Sequence, residues 1–420
     1  MSDHLRDMSD HAGFAWQRRL RELAPQVLGA LVRHHGGFDA CEDALQEALL
    51  AATTQWPAQG VPADPKAWLI TVASRRFIDR YRSDTARADR ERALAVLVPA
   101  DPGAVPDVDD TLTLFLLCCH PALTRPSQVA LTLRAVGGLT TAEIARGLLV
   151  PEATVAQRIS RAKHRIRTSG VRFRPPGAAD RAERIRSVTE VLYLVFTEGS
   201  TASSGPTVDR ADLSAEAIRL ARRLHAQVPG DGEVTGLLAL MLLTQARGPA
   251  RSTPSGDLVP LPEQDRGLWD TAMIAEGTAL ITHALRTAPI GPYQLQAAIA
   301  AVHDEAARPE DTDWRQILVL YDLLARLAPG PMVTLNRVVA VGMAHGPAAG
   351  IEELHAARAE AAVASHYRFD AVHGYLLDLA GEHEAARACY ARAAARTLSL
   401  PEQRHLRSRA TGGPAPGKDR

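Results

Sequence analysis

Apolar side chains recur every three or four positions along most of this 420-residue chain, the period of helices buried on one face. Trp16, Leu20, Leu23, Val27 and Leu31 form a first such stripe. Cys41, Leu45, Ala48 and Ala52 form a second, opened by Asp39 and Glu42 at the spacing of a capping box. A turn-rich loop (Trp56, Pro57, Gly60, Pro62, Asp64, Pro65) predicts a break before a third helix from Lys66 to about Arg82. Its apolar positions are Trp68, Leu69, Val72, Ile78 and Tyr81. No segment keeps a period of two, and β-branched runs are scarce, so the expected fold class is all-α.

Breaks in this pattern divide the chain. Pro99, Pro102, Gly103 and Pro106 with Asp101, Asp107, Asp109 and Asp110 predict an acidic linker over 96–110, between domains at 1–95 and 111–176. Pro175-Pro176-Gly177 closes the second block, and 177–420 is helical again apart from a stretch near Gly248–Gly256 rich in Gly, Pro, Ser and Thr. Gly346, with Ala348-Ala349 and a helix through Leu354, sits 35 positions before Gly381, with Glu384-Ala385-Ala386 and a helix through Tyr390. That offset is close to the roughly 34-residue tetratricopeptide period, so the extension is expected to be TPR-like.

Composition narrows the class. The apolar share of 46% and charged share of 23% suit a soluble globular protein. The runs Leu112–Cys119 and Leu237–Leu243 fall short of the roughly 18 residues that cross a bilayer. Ser2, Asp3, His4, Arg6 and Asp7 open the chain without an apolar core, so no secretory signal is expected. Four cysteines (Cys41, Cys118, Cys119, Cys389) without a CxxC pair argue against a disulfide framework or the common zinc modules. The expected location is the cytoplasm, away from any membrane.

Charge changes the picture further. Lysine plus arginine and aspartate plus glutamate both number 48, yet Thr111 to Arg174 holds ten basic and two acidic residues, +8 in a balanced chain. Such a block is the footprint of a nucleic-acid contact. Inside it, Thr140-Thr141-Ala142-Glu143 opens a short helix by a capping box, with Ile144, Ala145 and Leu148 facing inward. After a turn at Gly147–Val150 comes a second helix buried through Val155, Ile159, Ala162 and Ile166. Thr154, Arg158, Arg161 and Arg165 then fall together as a basic face, with Gln157 further round. A recognition helix in the major groove reads guanine through arginine and adenine through glutamine, so DNA is the expected target. The alternative is a solvated cationic face on a helical hairpin. Upstream, helix 66–82 sets Arg75, Arg76, Arg80 and Arg82 beside Phe77 and Tyr81, a combination that suits stacked single-stranded DNA. Its alternative is aromatic core packing beside solvated arginines.

The segment Asp39–Ala52 (DACEDALQEALLAA), followed by Pro65–Leu69 and Ile78–Arg82, resembles region 2 of bacterial sigma-70 factors. Thr141–Arg167 resembles their region 4. Two such regions in this order resemble the extracytoplasmic-function (ECF) group, in the subgroup with a tetratricopeptide-like extension. The resemblance implies that Asp43, Leu45, Gln46, Glu47 and Leu49 dock on the β′ clamp helices of core RNA polymerase. It implies that Arg75, Arg76, Asp79, Arg80 and Arg82 face the −10 element, with Arg75 standing where many relatives have asparagine. It assigns Thr154, Gln157, Arg158, Arg161 and Arg165 to the −35 element, with region 4 seated on the β flap. A small YCII-like (DGPF-motif) protein is implied as an associate.

The extension shows no HExxH, Walker, GxSxG or GxGxxG pattern in a fitting context, so neither catalysis nor a metal or cofactor is expected. Pro262 with Glu263-Gln264-Asp265-Arg266 and Trp269-Asp270 reads as a helix start or as a polar recognition cluster. The expected function is therefore an ECF-type sigma factor with a modulating helical domain. An autonomous helix-turn-helix regulator with a helical sensor, or a repeat scaffold, are the other readings.

Overall fold

A computed structural model describes residues 19–20, 22–89, 110–148, 150–168, 177–202 and 204–412. The acidic linker up to Asp109, Trp16, the polar opening segment and the side chains of Tyr81 and Arg82 lie outside what is described. The described residues form helices, with isolated bridges at Gly205–Ser399 and Ser252–Leu258 and no strand. None of these helices is long and apolar enough to cross a membrane. The chain divides into two compact units, Met1–Val191 and Leu192–Arg420.

In the first unit, α1 (22–35) turns into α2 (Phe38–Gln59) through Gly36 and Gly37, at φ +68° and +63°. A Cβ in that left-handed region meets its own backbone, so two successive residues there require glycine. Gly37 is the N-cap, and no side chain caps α2. The capping box expected at Asp39–Glu42 does not form, because Glu42 is turned inward and buried. Leu45, Ala48, Ala52 and Trp56 make the buried face of α2, and α3 (Pro65–Asp89) packs against it through Leu69 and Ala73. Trp68 meets Trp56 edge-on at 5.5 Å, a core arrangement. Phe77 stacks on His35 at 4.5 Å, so that ring belongs to the bundle and is not a free platform for a base.

The helices α4 (Thr111–Cys118), α5 (Arg125–Ala135), α6 (Thr141–Leu148) and α7 (Glu152–Thr168) build the second half of this unit. The capping box of α6 forms as expected. The Thr140 amide donates to Glu143 Oε2 at 2.8 Å, and the Glu143 amide donates to Thr140 Oγ1 at 3.2 Å. Val155, Ile159, Ala162 and Ile166 bury one face of α7 and leave the other polar. The first half of α8 (Ala178–Ser200) is tied to this unit, where Arg184 donates to the Leu116 carbonyl and Arg125 pairs with Glu190.

In the second unit, α10 (Gly232–Ala246) is apolar on nearly every side and packs against α9 (Ala211–Gln227), α11 (Thr271–Thr287) and α12 (Pro292–Glu305). Glu233 reaches across to accept from the Tyr293 and Gln294 amides, which are free donors at the start of α12. A Cβ on Gly236 would lie 2.7 Å from the Gln294 amide nitrogen and 2.9 Å from its Cα. That neighbour is backbone and cannot swing aside. Gly236→Ala should therefore cost about 1–3 kcal/mol in urea unfolding despite alanine's better helix propensity. Unchanged stability would show that the α10–α12 approach has room.

The helices α13 (Trp314–Leu327), α14 (Pro331–His345), α15 (Pro347–Ala357), α16 (Ala361–Ala364), α17 (Tyr367–Leu379), α18 (His383–Ala394) and α19 (Leu400–Thr411) follow, with α14 packed on α15 and α17 on α18. Gly346 and Gly381, the two glycines of the expected repeat, occupy the turns of these pairs at φ +99° and +83°. Pro262 sits at the start of a single 3-10 turn and opens no α-helix. Leu261–Glu263 and Arg266–Leu268 are single 3-10 turns, and α11 begins at Thr271 with the Asp270 carboxylate capping the Ala272 and Met273 amides.

Candidate nucleic-acid interface

The polar face of α2 and the polar face of α7 meet across a cleft of about 890 Å³ in the first unit. Lys163 projects from α7 into the acidic turns of α2. Its Nζ lies 2.6 Å from Glu42, 3.1 Å from Asp39 and 3.2 Å from Asp43. Arg134 of α5 reaches the same Glu42 at 3.0 Å, and Arg167 reaches Asp39 at 3.3 Å. Burial works against the Lys163 charge, but Glu42, Asp43 and Asp39 outweigh it and raise its pKa above the usual 10.5. The lysine is thus a fixed cation at neutral pH. Its side chain is 13% exposed and that of Glu42 is 4% exposed, so this pair is shielded from water and salt.

On the same cleft, Arg80 of α3 pairs with Asp43 at 3.0 Å, and beside it Arg76 pairs with Glu47 at 3.7 Å. Both are solvated contacts of small energy. The residues expected to meet polymerase and those expected to meet the −10 element are therefore interleaved on one acidic-basic surface. Asp43, Gln46 and Glu47 line the cleft, and Leu49 is half-buried. Leu45 is a correction. It is 2% exposed within the α2 core, so it supports the surface from behind and presents nothing to a docking partner. Arg75, Arg76, Asp79 and Arg80 are exposed along α3.

The expected −35 set is split by the cleft. Arg161 and Arg165 open into it, facing α2, whereas Thr154, Gln157 and Arg158 do not line it. Among the described residues Arg75, Arg158, Arg161 and Arg165 form no ion pair, which leaves four guanidinium groups for phosphate or base edges. The role of Glu42, Asp39 and Lys163 in joining the two helices was not read from the sequence. The one available signal was Lys163 itself, one of three lysines in an arginine-rich chain.

An acidic helix beside a basic helix, followed by a helix-turn-helix with an exposed basic face, defines a two-module helical protein with the charge pattern of a nucleic-acid binder. Comparison with known proteins agrees. Residues 20–87 match sigma-70 region 2, residues 116–166 match sigma-70 region 4, and residues 184–285 match a family of unknown function, DUF6596. An uncharacterized protein of Rhizobium meliloti is 42% identical over 395 residues, 91% of this chain and 92% of that protein. The probable ECF RNA polymerase sigma factor SigI of Mycobacterium tuberculosis is 28% identical over 181 residues, 41% of this chain and 58% of SigI. The ECF RNA polymerase sigma factor SigK of Mycobacterium ulcerans is 29% identical over 138 residues, 32% of this chain and 74% of SigK. No solved structure matches. The chain belongs to the sigma-70 family, with regions 2 and 4 followed by a helical extension. Membership makes core RNA polymerase and promoter DNA its partner classes.

Proposed function

We propose that this chain is an ECF-type sigma factor whose α2 acids dock on the β′ clamp helices, whose α3 arginines face the −10 element, and whose α7 reads the −35 element. The observation that supports this most is the unpaired, exposed Arg161 and its neighbours on α7, together with the cluster of Asp43, Gln46 and Glu47 on α2. In this arrangement the two surfaces face each other, with Lys163 inside the acids that polymerase would use. Engagement of polymerase is therefore coupled to the release of α7 from α2. DNA binding by the chain alone is then weak, and sequence-selective, salt-sensitive binding emerges with core polymerase.

Arg161→Ala is expected to weaken use of one class of −35 sequence by about 1–3 kcal/mol, roughly five- to hundredfold, in run-off transcription. Unchanged promoter choice would remove α7 as the reading helix. The 192–420 unit is proposed as a modulator of initiation, with TPR-like helix pairs as its framework. Equal promoter-specific output from the full chain and from one ending at Ser200 would remove that role. The YCII-like associate rests on family resemblance alone. No catalytic step is proposed for any residue.

A further inference from the structure

The second unit holds a half-open cavity of about 340 Å³ that the promoter reading does not use. Trp314, Tyr321 and Tyr375 line it with the His303 ring, and Val339 and Met343 complete an apolar wall. Phe, Trp and Tyr make up 5% of the chain, so three of them on one small cavity is a local concentration. All three rings are half-buried, and Asn336, a polar group of the same lining, is hydrogen-bonded to Tyr321. A cavity of this size, aromatic with a few placed polar groups, is the ordinary form of a small-molecule site.

The polar groups define what enters. Arg266 lines the cavity and is held firmly. Its Nη1 donates to the carbonyls of His303 at 2.7 Å and Ala306 at 2.6 Å, and its guanidinium lies over Trp269 at 4.4 Å. Its Nε and Nη2 have no hydrogen bond among the described residues. Nε is closed off by the surrounding protein, so Nη2 is the charged donor left for a carboxylate oxygen. Burial lowers the Arg266 pKa, and the buried Asp304 carboxylate, then Glu310 and Asp311, favour its charge. None of them pairs with it, since Asp304 lies 3.6 Å from Arg247 and Asp311 is taken by Arg308. The Tyr375 hydroxyl meets only the Met343 sulfur at 3.5 Å, a weak acceptor that a ligand oxygen would displace. His303 is no competing cation. Burial, then Arg247 and Arg266, lowers its pKa to about 4, and its neutral ring packs edge-on to Trp314 at 5.2 Å.

We propose that this cavity binds a small planar aromatic carboxylate bearing a second acceptor. The ring lies among Trp314, Tyr321 and Tyr375, the carboxylate at Arg266 Nη2, and the second acceptor at the Tyr375 hydroxyl. The proposal is independent of the sigma-factor reading.

The test is calorimetry and ligand-observed NMR on the full chain. The probes are the hydroxybenzoate isomers and indole carboxylate, with the corresponding amides as neutral isosteres. At least one acid should bind saturably at millimolar concentration or below, with its amide at least about tenfold weaker. Arg266→Gln should weaken the acid about tenfold and leave the amide unchanged, and Tyr375→Phe should weaken both about fivefold. Thermal unfolding checks that each variant is folded. Should Arg266→Gln fail to fold, Tyr375→Phe, which removes one oxygen, decides the matter. Absence of saturable binding by every probe, equal binding of acid and amide, or affinity insensitive to the folded variants overturns the proposal.

Discussion

Lys163→Glu is expected to separate α7 from α2 in the free chain. The substitution places a fourth acid among Asp39, Glu42 and Asp43 and removes the cation that joins them. Breaking a shielded pair of this kind costs about 3–5 kcal/mol, at least a hundredfold in the balance between closed and open arrangements. Spin labels introduced at the exposed Thr54 and Thr168 should report a longer, broader distance distribution in the variant. Affinity for core polymerase should rise as the acids are uncovered. An unchanged distance would show that packing between the helices holds without the charge. The pH dependence follows from the raised Lys163 pKa. Its stabilising contribution is fully present below the ordinary lysine value of about 10.5 and is lost only as pH climbs through the higher folded value. Between pH 6 and pH 9, therefore, the charge of Lys163 should not change (about 10.5 being its nearest midpoint).

Two neighbouring acids of α2 should give opposite phenotypes. Glu42→Ala leaves Lys163 and Arg134, whose side chains are 13% and 18% exposed, without their buried carboxylate. A loss of about 3–5 kcal/mol in the stability of the first unit is expected in urea unfolding. Asp43→Ala removes a partly exposed partner of Arg80 and of Lys163, but leaves Lys163 with Glu42 and Asp39, and should change stability by no more than about 1 kcal/mol. Its effect should appear instead as weaker binding to core polymerase. If both variants lost only stability, the α2 acids would be structural. If both lost only polymerase binding, Glu42 would not be the internal anchor described above.

Local features of this fold were legible in the sequence wherever neighbours along the chain decide the outcome. The 3.6-residue stripe of Val155, Ile159, Ala162 and Ile166 is the buried face of α7, and Thr140 with Glu143 caps α6. Asp39 and Glu42 have the same spacing as Thr140 and Glu143, yet make no box. Gly37 rather than a hydroxyl residue occupies the cap, and two basic groups from distant segments draw Glu42 inward. Leu45 shows a conflict of another kind. Its own periodicity with Cys41 and Ala48 marks a core position, and family likeness assigned it to a surface. Here the local physics was the better guide.

Long-range pairings had no such signal. Lys163 and Asp43 lie 120 positions apart, and nothing periodic connects them. The cavity of the second unit is assembled from α12, α13, α14 and α17 with the 3-10 turn at Arg266, so its aromatic lining is visible only after folding. Arg266 stood out in the sequence as part of a polar cluster. Its two carbonyl anchors and its stacking on Trp269 turn that cluster into a fixed donor.

The most direct measurement is reconstituted run-off transcription with core RNA polymerase on genomic fragments, with start sites mapped. The account predicts defined start sites that appear only with this chain present, and that shift or weaken with Arg161→Ala and Asp43→Ala. Transcription that is independent of the chain, or equally selective DNA binding by the chain without polymerase, would contradict it.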